Sequence, residues 1–148
     1  MHKTERRPAG MGKPNERFYE GRKTVESTGK NLAVKSKIWI EDEHGKVVFG
    51  AGRLRILRAI EEHGSILGAA KELKMSYRAV WGKIKATEER LGHPLLSRQT
   101  GGARGGGSQL TPLGKALIER FCDLQSLTET TANKIFEDLF SDGISGQS

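Results

Sequence analysis

What this chain has little of narrows its chemistry first. Among 148 residues there is one cysteine, Cys122, so no disulfide can close within the chain and no zinc site can be built from several thiolates. His2, His44, His63 and His93 are scattered without ligand spacing, so no metal and no other cofactor is expected. No run of about 18 apolar residues is present, which argues against a membrane-spanning helix. The opening segment MHKTERRPAGMGKPNERFYEGRK lacks the apolar middle of a signal peptide, so a cytoplasmic protein without a membrane partner is expected. The GxxxxGKS/T and GxGxxG fingerprints, with their strand and helix flanks, are missing. No nucleophile, base and orienting residue fall together in any segment, so an enzyme is not expected, and the chain implies no small-molecule ligand.

What is present is positive charge, unevenly placed within a net +7. Residues 1–35 carry nine basic and four acidic side chains, and residues 71–104 carry eight and three. Residues 36–70 balance at five of each, while residues 105–148 carry three and six. A basic surface attracts polyanions over a Debye length of roughly 8 Å, which makes nucleic acid or an anionic membrane the natural partner class.

Residues 1–35 mix Pro, Gly, Lys, Arg and Glu without apolar periodicity and read as a disordered basic arm. Residues 36–140 read as one domain and residues 141–148 as a disordered tail. KIWIEDEHGKVVFG, residues 37–50, shows two β-rich runs around Asp42-Glu43-His44-Gly45, which signals a hairpin with Trp39 and Phe49 buried. From Gly52 the pattern turns helical: Leu54, Ile56, Leu57 and Ile60 form a stripe that Gly64 ends. Ser65 can cap a second helix that buries Ile66, Ala69, Ala70 and Leu73, and Ser76 can cap a third, YRAVWGKIKATEERL, ended by Gly92 and Pro94. The inward positions of the third helix are Val80, Ile84 and Leu91, with Ala79 and Thr87 near the rim. Helix, short turn and helix make a helix-turn-helix unit.

Leu95 to Arg98 and Gln109 to Thr111 then read as two short antiparallel strands around TGGARGGGSQLTP, a wing. Thr111 and Pro112 open a long fourth helix over about 112–140. Along it Leu113, Leu117, Phe121, Leu124, Thr128, Thr131 and Ile135 recur every three or four residues, and the positions from Leu117 to Ile135 are the expected subunit contact. That stripe requires a partner: the same helix of a second chain is favoured, giving a homodimer, and burial against the chain's own hairpin is the alternative. The expected fold class is mainly α with small β, a winged helix-turn-helix with an N-terminal β-hairpin and a long C-terminal dimerisation helix.

In such a unit the second helix of the pair enters the major groove of double-stranded DNA. Ser76, Tyr77, Arg78, Trp81, Gly82 and Lys85 are the outward residues of that helix, with Arg78 suited to bidentate guanine recognition. Lys83 and Lys85 suit phosphate contacts, which position without reading sequence. Trp81 is open between core and groove, and Gly82 between close DNA approach and an uninformative gap. At the wing, Gly101, Gly102, Gly105, Gly106 and Gly107 remove Cβ atoms, so backbone amides can lie against a sugar-phosphate wall. Arg104 is then the one long cation on a narrow tip, shaped for the minor groove, while Arg98 and Thr100 would add backbone contacts. A floppy surface loop is the plain alternative.

GSILGAAKELKMSYRAVWGKIK and TGGARGGGSQLTPLGKALI together resemble the N-terminal DNA-binding domain of the ModE-type molybdenum-dependent transcriptional regulators. That domain belongs to the LysR-type winged-helix group, which ERLGHPLLSR also resembles. The resemblance covers roughly residues 36–140 and implies a dimeric operator-binding protein using the third helix and wing, with the fourth helix between subunits. It also implies DNA-facing roles for Ser76, Tyr77, Arg78 and Trp81 and for the wing from Gly101 to Gly107. Members of that family carry C-terminal oxyanion-binding domains; none is expected within these residues, so molybdate sensing is not expected of them. A sequence-specific transcriptional regulator is thus expected, with an architectural DNA-binding protein or a winged domain for protein contacts as the alternative.

Overall fold

The computed structural model describes residues 25–27, 30–99 and 107–142. Two short strands, β1 (Val25–Ser27) and β2 (Lys30–Leu32), pair antiparallel inside the stretch expected to be a disordered arm. Residues 1–24 of that arm and residues 143–148 of the tail lie outside the described residues. Next come the hairpin β3 (Trp39–Glu41) and β4 (Val47–Gly50), then α1 (Ala51–His63), α2 (Ile66–Leu73) and α3 (Tyr77–Leu91). Strands β5 (Leu96–Arg98) and β6 (Ser108–Leu110) form the wing's base, and α4 (Pro112–Phe140) follows. Among the described residues this is a mainly helical chain with small sheets, as the apolar periodicity implies.

The chain divides into two compact units, Lys37–Leu124 and a second made of Met1–Ser36 with Gln125–Ser148. In the second, Phe136 and Phe140, one turn apart on α4, stack with ring centroids 4.9 Å apart.

In the first unit the caps written into the sequence set the helix ends. Ser65 Oγ accepts from the Gly68 amide at 2.9 Å, and Ser76 Oγ from the Ala79 amide at 3.0 Å, each matching an orphan donor of the first turn. Gly64 and Gly92, at φ 67 and 71, turn α1 and α3 off in the left-handed region. Between these ends, Leu54, Ile56, Leu57 and Ile60 from α1 meet Ala69 and Ala70 of α2 and Val80 and Ile84 of α3, all buried. The two alanines let α1 and α2 approach closely. Thr111 Oγ1 donates to the Pro94 carbonyl at 2.8 Å and accepts from the Gly114 amide at 3.1 Å, capping α4 and tying its start to the segment before the wing.

Three positions differ from expectation. Trp39 is 51% exposed: all three residues of β3 are exposed, whereas Val48, Phe49 and Gly50 of β4 are buried. Its indole Nε1 donates to Glu41 Oε1 at 2.6 Å, on the same outer face. Thr87 is buried rather than near the rim: its hydroxyl donates to the Val48 carbonyl at 2.7 Å, so α3 is hydrogen-bonded to the hairpin through it. Phe121 is 1% exposed and packs edge-on against Phe49, centroids 5.1 Å apart and planes at 80°. Such a ring pair adds about 0.5–1.5 kcal/mol beyond burial. Leu113 and Leu117 also pack against this core, so the first three positions of the long stripe are occupied within the chain.

Candidate nucleic-acid interface

The face of α3 follows from what it buries. Val80, Ile84 and Thr87 point inward, which leaves Arg78, Gly82 and Lys85 on the opposite side of a helix with 3.6 residues per turn. Arg78, Gly82 and Lys85 are all exposed, and Tyr77 and Trp81 flank them at 47% and 41% exposure. Trp81 therefore stands outside the core. Lys85 reaches back over the Trp81 ring, Nζ 5.8 Å from its centroid, and lies 3.1 Å from Glu88 Oε1. Its cation is thereby held beside the outward row. Ser76 uses one oxygen lone pair for the cap and keeps a second lone pair and its hydroxyl hydrogen. Nothing lies within 4 Å of a Cβ placed on Gly82, so the glycine leaves a bare stretch of backbone on the outward face.

Lys83 departs from this row. It is exposed but sits on the flank that also carries Arg90, whose guanidinium donates to the Val47 carbonyl of the hairpin. That guanidinium also lies 3.9 Å from Asp42, whose carboxyl is held below the usual range mainly by the Lys46 amide it accepts from. The cations of α3 thus divide between the outward face and the hairpin side.

The base of the wing is anchored. Leu96 pairs with Leu110 and Arg98 with Ser108, and the Gln99 amide donates to the Gly107 carbonyl at 3.0 Å. From β6 the Ser108 amide donates to the Gly64 carbonyl at 2.8 Å, which joins the wing to the turn between α1 and α2. Gly107 is fixed by packing at this joint: a Cβ there would lie 2.6 Å from the Gly64 oxygen. This packing requires glycine at the joint, in addition to the backbone-to-phosphate contact expected there. Arg98 is exposed at the wing's base. Thr100, Gly101, Gly102, Arg104, Gly105 and Gly106 lie outside the described residues.

Glu62, His63 and Glu72 bring three donor atoms within 4.8 Å of one another, an arrangement invisible in sequence because Glu72 comes from the next helix. His63 Nε2 and Glu72 Oε2 are already 2.7 Å apart as a hydrogen-bonded pair. Among the described residues no helix is long and apolar enough to cross a membrane.

Residues 52–115, which hold α1 to α3, both wing strands and the start of α4, match the bacterial regulatory helix-turn-helix proteins of the lysR family. This segment is a LysR-type helix-turn-helix domain. The chain is 40% identical over 86 residues to the transcriptional regulator ModE of Haemophilus influenzae, covering 58% of this chain and 33% of that one. It is 42% identical over 72 residues to the molybdenum-pterin-binding protein MopB of Rhodobacter capsulatus, covering 49% of this chain and 27% of that one. The chain thus spans about a third or less of the curated relatives it matches. A solved complex of the CbnR DNA-binding domain with DNA is 27% identical, covering 60% of this chain and 95% of that one, at a TM-score of 0.46.

Proposed function

We propose that this chain is a sequence-specific, double-stranded DNA-binding transcriptional regulator that acts as a homodimer and is not an enzyme. The observation that carries the reading is the outward row of α3, Arg78, Gly82 and Lys85, presented on a helix packed against α1, α2 and the hairpin. Within a LysR-type domain that row enters the major groove. There Arg78 donates to a guanine edge, while Ser76, Tyr77 and Trp81 meet bases or phosphates near the helix N-terminus. The wing, residues 98–111, lies along the backbone or minor groove, with Arg98 at its base. The names of the relatives, transcriptional regulators at 40% identity, support the regulatory role. Work in the cytoplasm, where bacterial DNA is found, fits that role.

The partner of α4 is a second copy. Leu124, Leu127, Ile135 and Leu139 are exposed large apolar residues on one helix, and Leu127, Thr128, Thr131 and Ile135 line a shallow cleft along it. Two such helices packed about a twofold place two recognition helices for half-sites about 34 Å apart. Selection of bound fragments from random duplexes tests the reading. Recovery of an inverted repeat supports it; retention of duplex without enrichment favours a sequence-indifferent architectural protein instead.

A further inference from the structure

A cleft of about 390 Å³ opens where the hairpin, the first turn of α1 and the hairpin-side flank of α3 meet. Lys37, Trp39, Arg53 and Lys83 are among the residues that line it, and among the described residues no carboxylate does. Three cations converging on one cleft repel one another unless an anion joins them. Arg53 makes the imbalance specific. Its Nε is enclosed and, among the described residues, meets no hydrogen-bond acceptor, which is uncommon for a buried donor. Burial, with the charge of Arg90 as a lesser cause, holds its guanidinium below the ordinary range. The backbone adds donors at the same place: Ala51 and Gly52 of the first turn line the cleft, Gly50 offers no side-chain cap, and that turn contains no acidic residue. The face of Trp39 gives an exposed aromatic wall.

We propose that this cleft is a binding site for a phosphate-type oxyanion. Lys37 and Lys83 supply ammonium groups, and Arg53 supplies a planar guanidinium, from the lining of the cleft. One source of the anion is the backbone of bound DNA, and that source rests on the DNA-binding reading above. A helix about 10–12 Å across fills a major groove about 12 Å wide, so both flanks of α3 then face phosphate strands. The other source is free phosphate in solution.

Two measurements on the full chain decide. The first titrates inorganic phosphate without DNA, in a phosphate-free buffer, and follows the Gly52 and Arg53 amides and the Arg53 Nε–H by NMR. The second measures duplex affinity against salt for the wild type and for Lys37→Ala/Lys83→Ala, whose exposed positions leave the fold intact, as an unchanged melting temperature checks. Loss of one backbone phosphate flattens the slope of log affinity against log salt by about 0.9. A flatter slope supports the site with the duplex as source. Saturable phosphate shifts that disappear in the double variant support it with a free anion as source. Absence of both overturns it. If the wild type ignores DNA altogether, the DNA-binding reading fails and the phosphate titration alone decides this proposal.

Discussion

A Cβ on Gly107 would lie 2.6 Å from the carbonyl oxygen of Gly64, the same oxygen that accepts the Ser108 amide at 2.8 Å. The two glycines form the joint between wing and helix-turn-helix, and backbone rather than side chain blocks any added carbon. Gly107→Ala is therefore expected to destabilise the domain by about 1–3 kcal/mol, the usual cost of overpacking. Denaturant unfolding checks this; an unchanged midpoint would mean that the wing moves independently of α1.

Gly82 is expected to show the opposite sign. Nothing lies within 4 Å of its missing Cβ, and it stands inside α3, so Gly82→Ala should raise stability by about 1 kcal/mol through helix propensity. Because that backbone faces outward, the same change should weaken binding to a selected duplex. A variant that is more stable and binds equally well would remove Gly82 from the contact surface.

The long helix is expected to divide into two roles. Phe121→Ala, which empties the contact with Phe49, should cost about 3–5 kcal/mol of stability. Leu127→Lys, at a position 68% exposed, should leave the monomer folded and abolish self-association in sedimentation, with melting lowered only by the stabilisation that pairing gave. A Leu127→Lys protein that still sediments as a dimer would place the subunit contact elsewhere.

Thr87→Val is expected to cost about 1–3 kcal/mol, because the shape is kept while the Val48 carbonyl loses its buried donor. Thermal unfolding reads this directly. No loss would show that the hydroxyl does not hold α3 to the hairpin.

The helices and their ends were legible because each carries its own local signal. Ser65 and Ser76 cap, Gly64 and Gly92 terminate, and the three-to-four spacing of Leu54, Leu57 and Ile60 names the buried face. What escaped depends on partners distant in the chain. Trp39 has the size and apolarity of a core residue, yet it stands 51% exposed on a strand whose three residues are all exposed. Thr87 is polar, which made it look peripheral, but its hydroxyl meets a carbonyl 39 residues away. Phe121 continues a helical stripe without a break, and nothing local says that the hairpin uses it before a second chain can. In the site, the outward row of α3 could be read from periodicity alone. The turn of Lys83 toward the hairpin, the joint at Gly107 and the gathering of Lys37 and Arg53 appear only when β4 and α3 are brought together.

The most direct measurement is the affinity of the purified chain for a duplex, followed as salt rises. If α3 and the wing clamp a duplex and basic groups meet about eight phosphates, log affinity should fall against log salt with a slope of roughly −7. Arg78→Ala should further cost about 1–3 kcal/mol on a selected site and little on random DNA. Absence of salt-sensitive association with double-stranded DNA, or equal losses for Arg78→Ala on both duplexes, would contradict a base-reading role for this face.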